Sequence, residues 1–430
     1  MLKNKRIYVV PILGFCLMIL VTSVLLELPV SRNSNLNKID SVFEAASVIT
    51  ATGSTVVNVS ENFSFIGQLV MLIAMEVGAI GFMLFFSMLF LVSKKKMKLA
   101  DTVLLSNEIN TSNYNTLKSK ALKITRYTVV TEFFGAWLLA LKFIPKFGLK
   151  KGLWYSVFHS VSAFCNVGID IFGVSFEELF KDDLYVNIVF IVIMFLGALG
   201  FFVLEDFVEW FCTGKKNKIN TQSKIIFNMS IFLVFIGTVL LKIYNPELSL
   251  SNAIFLTVTS RNTGFSPVNI ENLSQINQFI LVILMFIGGG PGSNAGGIRI
   301  MVFFILYLTT IANVRNRSEV VAFYRSVSDK VIKRAIAILI IDLTIVFCSL
   351  LVFAIFEERT VLDMLFHIVS SFSNTGLSTI DLSTLTFAGK CVSILVMYLG
   401  RIAPITLVSV FMPVEDKKNG IKYPNMDVIL

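Results

Sequence analysis

Charge is scarce in this chain. Asp, Glu, Lys and Arg make up 15% of its 430 residues, against about 25% in an ordinary soluble domain. A surface so poor in charge is not all in water, which excludes a soluble globular class. Histidine is nearly absent: there are two, and no HExxH pair, which removes the usual zinc hydrolase. The five cysteines, Cys16, Cys165, Cys212, Cys348 and Cys391, are odd in number and scattered, mostly within apolar runs. They carry no zinc or redox spacing and read as small buried side chains. No GxxxxGK[ST] phosphate loop occurs, and no paired catalytic constellation suggests a membrane-embedded enzyme.

Apolar residues are what the chain has instead, at 55% with forty phenylalanines. Long apolar runs lie near 7–28, 63–92, 121–146, 184–212, 225–243, 278–312, 331–356 and 390–413. A span needs about 20 such residues, so roughly eight spans fit. The first run is longer than a signal-peptide core, and no small-residue cleavage site follows it, so it reads as the first span. The formal charge is +9, and its placement decides its meaning. Lys94, Lys95, Lys96 and Lys98, then Lys215, Lys216 and Lys218, then Arg315, Arg317, Arg325, Lys330, Lys333 and Arg334 fill alternate gaps between the runs. Lys3, Lys5 and Arg6 begin the chain, and Lys417, Lys418 and Lys422 lie near its end. That is a topology signal, with the basic side and both termini cytoplasmic, and not a nucleic-acid footprint. Lys142, Lys146, Lys150 and Lys151 fall on the other side and weaken the rule locally. The expected partner is the lipid bilayer of the cell membrane.

The remaining gaps each hold a stretch too short to span, followed by a glycine. They read FEAASVITATGS (43–54), FHSVSAFCNVGI (158–169), IFLTVTSRNTGF (254–265) and FHIVSSFSNTGL (366–377). Aligned on Gly53, Gly168, Gly264 and Gly376, they carry an apolar residue ten positions earlier in each, and Asn two positions earlier in three. Four matches in register, each between two spans, make chance similarity a poor account. The expected fold is an all-α membrane protein of four helix–pore loop–helix repeats in pseudo-fourfold arrangement around one central pore. The repeats are 1–100, 101–217, 218–325 and 326–430, within a single transmembrane domain.

Four short loops facing one axis can replace a cation's hydration shell with backbone carbonyls. Glycine permits the angles that aim successive carbonyls inward, and the carbonyl end of each preceding short helix favours a cation. The residues expected on the axis are Thr50, Ala51, Thr52 and Gly53; Cys165, Asn166, Val167 and Gly168; Arg261, Asn262, Thr263 and Gly264; and Ser373, Asn374, Thr375 and Gly376. Arg261 is expected to brace its loop by hydrogen bonds and not to touch the ion.

The pattern resembles the Trk/Ktr/HKT superfamily of potassium transporters over nearly the whole chain. FHSVSAFCNVG and TSRNTGFSPV resemble its second and third pore loops, GGGPGSNAGGIRI (288–300) its glycine-rich break, and YLGRIAP (398–404) the arginine motif of its last inner helix. The length and the ending KYPNMDVIL are similar to the Ktr branch. The resemblance implies a potassium uptake protein, with one filter glycine per repeat associated with K+ selectivity and Gly53 standing where serine is associated with sodium. It implies no covalently bound cofactor, K+ as the permeant ion, Na+ as an optional coupling or stimulating ion, a homodimer, and a separate cytosolic nucleotide-binding (RCK-type) regulatory ring. The chain departs from the family pattern at Ala51, at Ser54, and at Glu76 within the second span.

Six glycines and a proline crowd the segment Gly288, Gly289, Gly290, Pro291, Gly292, Ser293, Asn294, Ala295, Gly296 and Gly297. A continuous helix does not tolerate that. Its place, inside an apolar run after the third loop, suggests an unwound gate. Arg261, Arg299 and Arg401 lie in apolar surroundings, where a charge needs a partner or water. Arg401 reads either as an electrostatic barrier or gate anchor, or as half of a salt bridge with Asp342 or Glu209. His159 and His367 share a repeat position and are expected to pack or to bond loop backbone. A secondary transporter of another cation or solute, built on broken helices at the midplane, is the competing function.

Overall fold

In lipid the backbone must satisfy its own hydrogen bonds, so apolar runs fold as helices. The computed structural model describes residues 2–80, 114–213, 219–293, 296–317, 319–323 and 325–402. The helices in chain order are α1 Leu2–Glu27, α2 Lys38–Ile49, α3 Val59–Asn62, α4 Phe65–Ile80, α5 Tyr114–Phe147, α6 Leu149–Phe164, α7 Phe176–Phe180 and α8 Leu184–Leu199. They continue with α9 Phe201–Thr213, α10 Thr221–Tyr244, α11 Leu250–Thr259, α12 Gln275–Ile287, α13 Ile300–Val314, α14 Asp329–Phe356, α15 Val361–Phe372 and α16 Phe387–Arg401. One two-stranded hairpin, Val321–Ala322 with Arg325–Ser326, joins α13 to α14. The inner ends of the runs near 63–92 and 390–413, the Lys94–Lys98 and Lys215–Lys218 clusters and the basic tail lie outside the described residues.

Among the described residues, three helices are long and apolar enough to cross a membrane alone: Leu122–Phe147, Thr221–Tyr244 and Asp329–Phe356. The run 184–212, expected as one span, is instead two helices meeting at 106°. The break falls at Gly200, whose φ of 92° lies outside the helical region. The run 278–312 is likewise divided, between Ile287 and Ile300, as its glycines require. Phe133, Phe134 and Trp137 on α5, Phe235 on α10, and Phe347 and Ile355 on α14 face outward, more than half exposed. A belt of that kind is stable only against lipid.

The short helices α2, α6, α11 and α15 lie within the molecule. Twelve residues of helix reach only about 18 Å, well short of the roughly 30 Å hydrocarbon layer. Each short helix packs on the two spans of its own unit and on the second span of the preceding unit: α6 on α4, α11 on α8, α15 on α12, and α2 on α16. The last contact returns the chain to its start. A buried ion pair fastens it, with Lys390 Nζ of α16 donating to Asp40 Oδ1 in the first turn of α2 at 2.7 Å.

Candidate functional site

Three of the short helices end in the same hydrogen-bond pattern. After α2, Ala51 N–H donates to Val48 O and Thr52 N–H to Ser47 O. After α6, Asn166 N–H donates to Ala163 O and Val167 N–H to Ser162 O; after α15, Asn374 N–H donates to Ser371 O and Thr375 N–H to Ser370 O. This is a Schellman cap, and it demands a left-handed residue in the middle. Ala51, Asn166 and Asn374 take that place with φ of 56°, 53° and 54°. The glycine two residues on is left-handed again, at φ 83° for Gly53, 86° for Gly168 and 84° for Gly376. The third loop reaches Gly264 (φ 86°) differently. Both Arg261 and Asn262 close tight turns, to Val258 O and Thr259 O.

The four glycines stand against one another in order. A Cβ on Gly53 would fall 1.6 Å from Val167 O, one on Gly168 1.6 Å from Thr263 O, one on Gly264 2.5 Å from Thr375 O, and one on Gly376 2.2 Å from Thr52 O. Each glycine thus abuts the carbonyl just before the next unit's glycine, and the sequence of contacts closes on itself. Side chains add to two of these junctions. Thr263 Oγ1 donates to Asn166 Oδ1 at 2.9 Å, and Asn374 Nδ2 donates to Thr52 Oγ1 at 2.9 Å. The junction of the first and second loops has Ala51 and Val167 in those places, so it is apolar.

Arg261 does not point along its loop. Its Nη2 donates to Ser230 Oγ of α10 at 3.1 Å and its Nε to Gly288 O at 3.4 Å. The glycine-rich break is tied down on both sides. Gly290 N–H donates to Ala198 O, Phe201 N–H to Gly292 O, Gly296 N–H to Ser373 O, and Ile300 N–H to Gly289 O. A Cβ at Gly296 would lie 2.6 Å from Asn374 Oδ1, and one at Gly288 2.4 Å from Gly296 O. The segment therefore runs directly beneath the third and fourth loops. Asn294 and Ala295 lie outside the described residues.

Arg401 donates to Gly78 O and Ala79 O at the C-terminal end of α4. Glu209 pairs with Lys123 at 2.8 Å, and Asp342 interacts with Arg299. Sequence reasoning expected His159 and His367 to pack or to bond loop backbone, but missed Glu44, which holds the same position nine residues before its glycine, as Phe255 does in the third unit. Glu44 Oε1 accepts Val56 N–H at 2.8 Å, and His159 Nε2 accepts Ile171 N–H at 3.3 Å. In both units the short helix pins the backbone three residues past the glycine. His367 instead bonds Ser393 Oγ at 2.8 Å. Glu44 lies inside the aligned stretch, one residue after the shared apolar position.

One cluster among the described residues has metal-ligand character: the carboxyls of Glu76 and Glu132 and the Cys165 thiol, whose ligand atoms lie within 4.8 Å of one another. Cys165 Sγ donates to Glu132 Oε1 at 3.7 Å, and the two carboxyls bond each other. A bond between two carboxyls needs a proton on one of them. The cluster therefore ties together α4, α5 and the base of the second loop. Glu132 was not singled out in the sequence because only the fold brings it to Glu76.

Broken spans, buried short helices and four abutting glycine loops fit a multi-pass helical membrane protein. The sequence family TrkH, described as cation transport protein, matches residues 17–231 and 218–419. The chain belongs to this family of transporters, which are not enzymes. It is 30% identical over 427 residues to the Ktr system potassium uptake protein B of Bacillus subtilis, covering 97% of this chain and 95% of that one. It is 29% identical over 436 residues to the potassium/sodium uptake protein NtpJ of Enterococcus hirae, with the same two shares. Its fold is similar to the crystal structure of the potassium transporter TrkH from Vibrio parahaemolyticus, with TM-score 0.76 and 16% identity, covering 95% of this chain and 85% of that one.

Proposed function

We propose that the chain is a potassium uptake protein that carries K+ across the cell membrane through one central, pseudo-fourfold pore. The observation that carries this reading is the closed cycle of four glycines, each against the next loop's carbonyl. Left-handed residues alternating with extended ones turn successive carbonyls to one side, and a ring of such carbonyls replaces a cation's water. Residues 50–53, 165–168, 262–264 and 373–376 form this filter. Arg261 is assigned to bracing, since its guanidinium lies on Ser230 and Gly288. The relatives named for potassium and for potassium/sodium uptake support K+ as the cargo, with Na+ as a coupling or stimulating ion. The glycine-rich break, with Arg401, is the gate. A homodimer with a cytosolic RCK-type ring completes the transport system.

The test is a flux ratio. Gly53→Ser puts a side chain where Val167 O already stands, so the ring must open or distort. Reconstituted protein should then pass more Na+ relative to K+ than the parent does. An unchanged ratio in folded protein would remove Gly53 from the filter.

A further inference from the structure

The second loop differs from the others just past its glycine. Two residues beyond the four aligned glycines stand Thr55, Asp170, Ser266 and Ser378. In three units this side chain accepts the backbone N–H two residues further on. Ser266 Oγ takes Val268 N–H at 3.4 Å, Ser378 Oγ takes Ile380 N–H at 3.1 Å, and the Asp170 carboxylate takes Phe172 N–H. Serine and aspartate make the same turn. Two units show that the turn needs an acceptor and not a charge, so the charge of Asp170 is surplus to the fold.

Asp170 lines a cavity of about 240 Å³ together with Gly53, Gly168, Thr55, Asn58 and Ser175. At about 30 Å³ per water, that space takes roughly eight waters, enough for a partly hydrated cation. The cavity reaches the first and second filter glycines themselves. Among the described residues no Lys or Arg forms a salt bridge with Asp170. The charged groups on the flanking elements are Glu61 on α3, Glu177 and Glu178 on α7, and Lys181, which pairs with Glu177 at 4.0 Å. Beneath it His159 holds its Nδ1 on Tyr155 O and accepts Ile171 N–H through Nε2, the arrangement of a neutral imidazole.

We propose that Asp170 and this cavity form a docking place for a hydrated monovalent cation at the outer end of the filter, and that Asp170 sets the apparent affinity of uptake. The proposal rests on the potassium-uptake reading. A single negative charge in a cleft at the entrance concentrates cations there. Burial holds the Asp170 carboxyl above the usual carboxylate range, at about 6. The docking charge is therefore present at neutral pH and is lost as pH falls through about 6.

The experiment is uptake of K+ by the full-length chain in an uptake-deficient host, with KM and maximal rate measured at about pH 7.5 and about pH 5. Asp170→Ser keeps the turn, as serine does at 266 and 378, and Asp170→Asn is the second variant. At the higher pH both should raise KM about three- to tenfold, an effect larger on KM than on maximal rate. The parent's KM should rise by a similar factor on acidification, while the variants' KM stays flat. Glu61→Gln should behave as the parent. The proposal is overturned if either variant keeps the parent's KM, if the parent's pH dependence persists in the variants, or if both variants lose maximal rate at unchanged KM. A parent that transports no K+ at either pH would bring down the potassium reading itself, and this proposal with it.

Discussion

An alanine in the left-handed region is an expensive choice, costing roughly 1–2 kcal/mol against a right-handed conformation. Ala51 holds it at φ 56° with no solvent exposure. Its partner across the junction explains why asparagine is not there instead. Where Asn166 and Asn374 stand, the next loop offers a threonine hydroxyl, from Thr263 and Thr52. Opposite Ala51 the next loop offers Val167, and a buried asparagine amide beside valine would go unpaired. Ala51 and Val167 thus form one apolar choice made on two loops. The prediction concerns coupling. Ala51→Asn alone and Val167→Thr alone should each destabilise the protein in detergent. The double substitution should recover about 1 kcal/mol relative to the sum of the two, the worth of one buried hydrogen bond. A double-mutant cycle on thermal unfolding reads this directly, and additivity would show that the two side chains do not meet.

The elements to which the proposal gives function are the interrupted ones. The segment Gly288–Gly297 hangs from Ala198 and Phe201 of the broken α8–α9 pair and from Ser373 of the fourth loop, so it bridges two units where the proposed gate would obstruct the path. Removing Pro291 to Ala295 should take away that obstruction. Uptake by the deletion protein should rise, and its dependence on a regulatory partner should fall. Folded deletion protein that conducts no faster than the parent, with regulation intact, would reduce the segment to a packing bend. How much of this was legible in the sequence follows from the physics. The short helices and their glycines were legible because a stretch too short to span, repeated between spans, has few other uses. The break at Gly288–Gly297 was legible because six glycines and a proline cannot stay helical. The break at Gly200 was not, since a single glycine in an apolar run costs only about 1 kcal/mol in a helix. What decides it is the docking of Gly290 and Gly292 onto that turn, a tertiary fact. Glu132 and the Lys390–Asp40 pair were illegible for the same reason, since each matters through a partner far away in the chain, and Asp170 because the cavity it lines is completed by Gly53, Thr55 and Asn58 of the first unit.

At the scale of the whole molecule, the chain closes a cycle whose last span returns to its first short helix, and the fold leaves orientation to be set by charge. Moving a lysine-rich loop through hydrocarbon costs several kcal/mol, so basic gaps stay on the side of synthesis. The loops around Lys95, which lies outside the described residues, and Arg317 should therefore be cytoplasmic. The loop between α1 and α2, where Asn35 is exposed, should face outward with Asp170. Single cysteines placed at Asn35, Lys95 and Arg317 test this. Cys16 and Cys348 are exposed on the described surface, so the native cysteines should first be replaced, with Ser at 165 to keep a donor to Glu132. A membrane-impermeant thiol reagent added to intact cells should label position 35 and spare 95 and 317 until the membrane is permeabilised. The reverse pattern would invert the molecule. The Asp170 cavity would then face the cytoplasm, and uptake would have to begin from the end of the filter where the glycine-rich break lies.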